Sequence, residues 1–209
     1  MKERIRGFEF VSAKQFKDDI NKFLSNYSFG GSQYLKFRKY EDSEIEKLLN
    51  VKNMAFINYL YDVDAVDSDI EYIHEHMKLP QRATKKSSGY DFVSPFSFTL
   101  LPNESIAFPL GVKAYMQDDE ELLIFPRSSV GFKYKVKIDN TIGKIDSDYY
   151  NNQANEGDIC VFLTNTGNKN WVVNQGDKIC QGTFYKYLTT DDDYPASEDR
   201  TGGMGSTGV

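Results

Sequence analysis

The residues most able to do chemistry lie in "DNTIGKIDSDYYNN", Asp139 to Asn152. Asp146 and Asp148 stand two apart, and Tyr149 follows. The stretch otherwise reads as strand, and in an extended strand positions i and i+2 point to one face. Two like charges on one face repel. Either they belong to a solvated hairpin tip, or they serve a site that needs a carboxylate beside an aromatic platform. His74 and His76 in "YIHEHMK" offer less. Residues i and i+2 on a helix do not face one ligand, and the zinc protease spacing needs i and i+4. They read as solvated helix histidines. Cys160 and Cys180 sit in separate apolar segments and read as buried thiols of a reducing cytoplasm.

The elements that must position these residues fall into distinct textures. At 209 residues, 40% hydrophobic and 27% charged, the chain suits one globular domain, or a domain plus an insertion. A net charge of −6 argues against general affinity for nucleic acid or an anionic membrane. It leaves room for one anionic ligand in a local pocket, with a divalent cation to offset charge. Met1 to Ser12 lacks the apolar core of a signal peptide. No apolar run approaches the roughly 18 residues of a transmembrane helix. The expected location is cytoplasmic.

Residues 1–12 carry a first core strand, "RGFEFVS". Residues 13–78 follow helical spacing: Phe16, Ile20, Phe23 and Leu24; then Ile45, Leu48 and Leu49; then Ile70, Ile73 and Met77. Candidate capping boxes precede each run, at Ser12 with Gln15, Ser43 with Glu46, and Ser68 with Glu71. From 79 to 188 the segments are short and rich in Val, Ile, Phe and Tyr. "FSFTLLP", "SIAFPLGVKAYM", "ELLIFP", "YKVKID", "DICVFLTNTG", "NWVVNQGD" and "KICQGTFYKYL" read as strands of a β-sandwich or barrel. The fold class is mainly β with an α-helical insertion. Residues 189–209 read as a flexible C-terminal arm. Yet "RTGGMGSTG" holds an Arg, glycines and hydroxyls suited to wrapping phosphates.

Five segments line up in order: "ATKKSSGYD", "PRSSVGFK", "NTIGKIDSDY", "GDKICQGTF" and "RTGGMGSTG". Their content and separation resemble the five motifs of the trimeric dUTP diphosphatases (dUTPases), and "LGVKAYM" looks like a stretch between the first two. The resemblance covers Leu79 to Val209 and the opening strand. It implies a jelly-roll-like β core, a homotrimer with shared sites, and hydrolysis of dUTP to dUMP and pyrophosphate with Mg²⁺.

The resemblance also implies roles. Asp146 matches the acid that orients and deprotonates the attacking water, work worth about 10²–10⁴-fold in rate. Tyr149 matches the ring packed on the deoxyribose, which rejects UTP by clash. Asn140 matches the hairpin residue that reads uracil, and Gly143 fits close approach of backbone to ligand. Ser128, with Arg127 and Ser129, matches the phosphate-binding segment, and Gln181 an amide on the phosphates. Asp91 matches the first-motif acid near the metal, held indirectly through water. Arg200, Met204, Ser206 and Thr207 match a lid closing from a neighbouring subunit. Asp148 looks like a structural acid.

Some residues depart from the pattern. Met204 stands where the family carries a Phe that stacks on uracil. Lys178 replaces an Arg, which keeps charge and loses a bidentate contact. "SDYYNNQANEGD" is longer and more polar than the common turn. Residues 13–78 lie outside the family fold. They read as a surface embellishment or, more sharply, as a docking module for a protein partner through Tyr34, Phe37, Tyr40, Tyr59 and Tyr61. Two alternatives remain: a dCTP deaminase-like enzyme, which shares the fold and an "RSS" segment, and a nucleotide-gated regulator acting through the insertion.

Overall fold

The structure is a computed structural model that describes residues 4–25, 28–29, 32–33, 66–195 and 202. Strand β1 (Gly7–Phe10) leads into helix α1 (Ala13–Ser25). The short strands β2 (Ser28–Phe29) and β3 (Ser32–Gln33) pair with each other. Helix α2 (Val66–Glu75) follows, then a run of strands: β4 (Gln81–Arg82), β5 (Tyr90–Val93), β6 (Phe98–Leu100), β7 (Ser105–Pro109), β8 (Val112–Tyr115) and β9 (Glu120–Pro126). Helix α3 (Ser128–Tyr134) precedes β10 (Val136–Ile138) and β11 (Gly143–Asp146). A 3₁₀ turn (Ser147–Tyr149), β12 (Cys160–Asn165), β13 (Trp171–Val173) and β14 (Lys178–Lys186) complete the described elements.

The main sheet has the order β11-β9-β14-β5-β4, and its paired neighbours are antiparallel. A second sheet runs β10-β12-β7, and β1-β8 and β13-β6 form smaller pairs. Alternation explains the sandwich. Along β9, Leu122 and Ile124 are buried while Glu121, Leu123 and Phe125 are only partly so. Phe92 of β5 and Cys180 of β14 share the inner face with them. Val161 and Leu163 of β12 lie opposite Phe108 and Ile106 of β7 and supply the facing layer. One continuous core joins the two.

Each of the seven stretches read as strands contains a strand, and a segment outside them forms a helix. "SIAFPLGVKAYM" is two strands, broken where Gly111 takes a positive φ of 66°. "PRSSVGFK" holds all but the last residue of helix α3, which Lys135 caps in the left-handed region.

The helical region is only partly as expected. Ser12 caps α1: its Oγ accepts the Gln15 N–H at 3.1 Å. The reciprocal half of the box comes from elsewhere, since Glu156 accepts the Ser12 N–H at 2.9 Å. The third run starts earlier than expected, since α2 already begins at Val66, before Ser68. The described ends of this region, α1 and α2, are tied into the β core. Phe16, Ile20 and Ile70 are buried in the same core as the sheets, and Ile73 and Met77 pack against it. Their helical periodicity matched an apolar stripe that the sandwich itself covers. His74 is half-buried between Phe10 and Phe16, with Nε2 2.8 Å from the Val11 carbonyl, so it is not a solvated histidine. His76 is exposed and stacks on Tyr72. Ser43, Ile45, Leu48, Leu49 and the five aromatics from Tyr34 to Tyr61 lie outside the described residues. Cys160 and Cys180 are free thiols, Cys180 fully buried and Cys160 partly so.

Candidate functional site

Three of the predicted residues, Asp91, Gln181 and Asp146, lie on the outer face of the main sheet, at two of its corners. Strand alternation puts Asp91, Gln181, Phe125, Glu121, Lys144 and Asp146 on that face, because Phe92, Cys180, Leu122 and Ile124 point inward.

At the first corner Asp91 stands opposite Gln181, which stands opposite Phe125. The Asp91 side chain is 8% exposed, because two cations cover it. Arg127 Nε donates to Oδ1 and Lys178 Nζ to Oδ2, both at 2.8 Å. Lys178 reaches this face through an irregularity in β14. Register shifts between Lys178 and Cys180, so Ile179 and Cys180 are both buried and Lys178 emerges on the Asp91 side. An uninterrupted strand would have left Lys178 on the inner face with Cys180. Gln181 Nε2 donates to the Pro126 carbonyl at 3.3 Å. Gly89 makes room for it, since a Cβ there would lie 2.7 Å from Gln181 Oε1. Arg127 is the N-cap of α3, and Ser128 and Ser129 are exposed in its first turn. A cationic pair, two hydroxyls and an amide thus share one corner, arranged to meet an anion.

The second corner carries Asp146 at the end of β11, opposite Glu121. Asp148 is not its same-face neighbour. The strand ends at Asp146, and Asp148 is exposed within the 3₁₀ turn, so the extended-strand premise fails. Asp146 is 43% exposed, with Lys144 Nζ 3.6 Å from its Oδ1. Tyr149 is only 7% exposed. Its hydroxyl donates to the Asp158 carbonyl at 3.1 Å and accepts from Asn155 Nδ2 at 2.8 Å. Burial pushes its phenol above the ordinary value. The ring is therefore a fixed surface rather than a mobile side chain.

The long polar loop builds this mount. Asn152 Nδ2 donates to the Tyr149 carbonyl at 2.9 Å and to Asn155 Oδ1 at 2.8 Å. Gly157 has a φ of 86°, and a Cβ there would lie 2.6 Å from the Tyr149 carbonyl oxygen.

Asn140 is exposed in the turn before β11, where Thr141 takes a φ of 69°. That turn is not a paired hairpin. β10 pairs with β12 and β11 with β9, so the turn links two sheets. Gly143 has a structural reason to be glycine: an added Cβ would meet Ile124 Cβ at 3.1 Å. Arg200, Met204, Ser206 and Thr207 lie outside the described residues.

Sequence reading missed Asn155 and Asp158 as holders of Tyr149, and missed Glu121 and Lys144 beside Asp146. Only Lys144 left a signal, two residues before Asp146 in strand period. As for a metal, the described residues hold no group of three or more His, Cys, Asp or Glu able to ligate one. Asp91 has both oxygens engaged by cations. These residues do not fit a metal held directly by the protein.

The sandwich and its polar outer face are those of a mainly β protein with helices added near its N-terminus. Comparison with known proteins narrows the class. A family model described as dUTPase matches residues 75–208. The deoxyuridine 5'-triphosphate nucleotidohydrolase of Lactococcus lactis subsp. lactis is 38% identical over 140 residues, covering 66% of this chain and 93% of that protein. The same-named protein of Methylobacillus flagellatus is 35% identical, covering 64% and 89%. The crystal structure of dUTPase from Streptococcus mutans matches with a TM-score of 0.50 at 38% identity, over 54% of this chain and 88% of that one. The chain belongs to the dUTPase family.

Proposed function

We propose that the protein hydrolyses dUTP to dUMP and pyrophosphate at sites assembled between copies of the chain, as a homotrimer. The observation that carries this reading is the separation of the two corners. Asp146 and Asp91 lie three strand spacings apart across the sheet and four residues apart along β9. At about 4.8 Å per strand and 3.3 Å per residue, their backbones are roughly 19 Å apart. One α-phosphate cannot touch both corners of one sheet. A second copy can bring its Asp146 to the first copy's cationic corner.

In that assembly Asp146 accepts a proton from water as the water oxygen bonds to the α-phosphorus. The bond from that phosphorus to the bridging oxygen breaks in line, and the electron pair leaves with pyrophosphate. Arg127, Ser128, Ser129 and Gln181 bind phosphate oxygens. Lys178 keeps Arg127 company on Asp91 and adds positive charge. Mg²⁺ would arrive on the triphosphate and offset its charge, and Asp91, held by Arg127 and Lys178, would act on it only indirectly. Asn140 reads uracil at the turn. The Tyr149 ring, fixed by its hydroxyl bonds, packs on the sugar and leaves no room for a 2′-hydroxyl. Arg200, Ser206 and Thr207 close over the phosphates, with Met204 over the base.

Pyrophosphate release from dUTP with Mg²⁺, beside UTP, dTTP and dCTP, tests the reading. Selective release that Asp146→Asn removes is expected. Ammonia release from dCTP would overturn it in favour of a deaminase.

A further inference from the structure

We infer that Lys144 is a positioning residue for Asp146, a role that rests on the reading of Asp146 as the base. The lysine ammonium stands between two carboxylates, 3.2 Å from Glu121 Oε2 and 3.6 Å from Asp146 Oδ1. Register explains the arrangement. Asp146 is directly opposite Glu121, and Lys144 lies two residues back on the same outer face. The Glu121 side chain is 15% exposed and the Lys144 side chain 58%. The better-covered acid therefore anchors the cation, and the cation faces the acid that does the chemistry. Tyr187 adds an aromatic ring 5.8 Å from the ammonium. Glu121 and then Asp146 raise the proton affinity of Lys144.

Without the cation, two carboxylates face each other across a cross-strand pair, with Cβ atoms about 4.5–5.5 Å apart. Like charges so close raise the proton affinity of one of them. A base must be ionised to accept a proton from water. Lys144 thus offsets the repulsion between the two carboxylates and aims Asp146, and Glu121 holds Lys144. Among the described residues, Asp148 follows Asp146 in the 3₁₀ turn, Tyr185 stands opposite Glu121 on β14, and the next residue, Lys186, pairs with Asp119.

The test is the pH profile of kcat/KM for dUTP, measured on the full-length chain and its variants. Lys144→Met is expected to move the acidic limb up by about half to one pH unit. Below the limb, activity then falls by about three- to tenfold. Lys144→Arg should restore the wild-type limb. Glu121→Gln combined with Lys144→Met should bring it back most of the way, because the opposed charge is gone. A lysine needed only for folding would lower the amount of active enzyme and leave the limb where it is. An active wild type whose limb is unchanged in Lys144→Met overturns the positioning role alone. A wild type that releases no pyrophosphate from dUTP overturns the proposed function as well.

Discussion

Asp146 and Asp91 share the outer face of one sheet yet occupy different corners of it, one opposite Glu121 and the other opposite Gln181. Their separation predicts complementation. Asp146→Asn and Arg127→Ala homomers should each lose nearly all pyrophosphate release. Unfolded and refolded together, they should regain a measurable share, because some mixed sites draw Asp146 and Arg127 from two intact chains. Mixtures no more active than their parts would mean that one chain supplies both corners.

Asp146→Asn by itself should lower kcat by about 10²–10⁴-fold. The side chain is 43% exposed, so the melting temperature should stay close to wild type. Steady-state rates beside a thermal melt separate loss of chemistry from loss of fold.

Asp91→Asn should act differently. It leaves Arg127 and Lys178 without the carboxylate that both bind. Both cations are partly exposed, so solvent screens much of the loss, and about 1–2 kcal/mol of stability should disappear. Two cations no longer held in place should bind phosphate less well. KM for dUTP should rise more than kcat falls, which initial rates over a substrate series would reveal.

Asp158 predicts a pH dependence of stability. It is fully buried beside Asp19 of α1, and its Oδ1 accepts the Gly111 N–H at 2.8 Å. Burial first, and then Asp19, pushes its carboxyl well above the usual range; burial also raises Asp19. A raised folded-state value means that the folded chain holds more protons than the unfolded one. The stabilisation is complete below the ordinary carboxylate range and is lost as pH rises toward the folded value. Asp158→Asn keeps an acceptor for Gly111 and removes the titration. Its melting temperature should gain on wild type as pH rises from 5 to 8. Parallel melting curves would contradict this.

Gly143→Ala tests the sheet packing. Ile124 must give way to a Cβ at 3.1 Å, in a sheet whose inner face is closed, at a cost of about 1–3 kcal/mol. Denaturant unfolding gives the value directly.

Local chemistry made much of this protein legible before any coordinates. Leu122, Ile124, Val161 and Leu163 announced strands because a half-buried strand alternates, and Ser12 announced a helix start because its hydroxyl bonds a neighbour three residues away. The motifs that carry Asp91, Arg127, Asp146 and Gln181 are short and contiguous, so residue order exposed them. The tertiary structure decided what depends on distant partners. A register shift turned Lys178 toward Asp91, Asn155 and Asp158 took up the Tyr149 hydroxyl, and the core closed over Phe16 and Ile70 from a segment that read as an appendage. It also placed Asp146 and Asp91 at separate corners. Sequence spacing records which residues are present and their local period. Strand order and register set which of them meet, and those arise only when the whole chain packs.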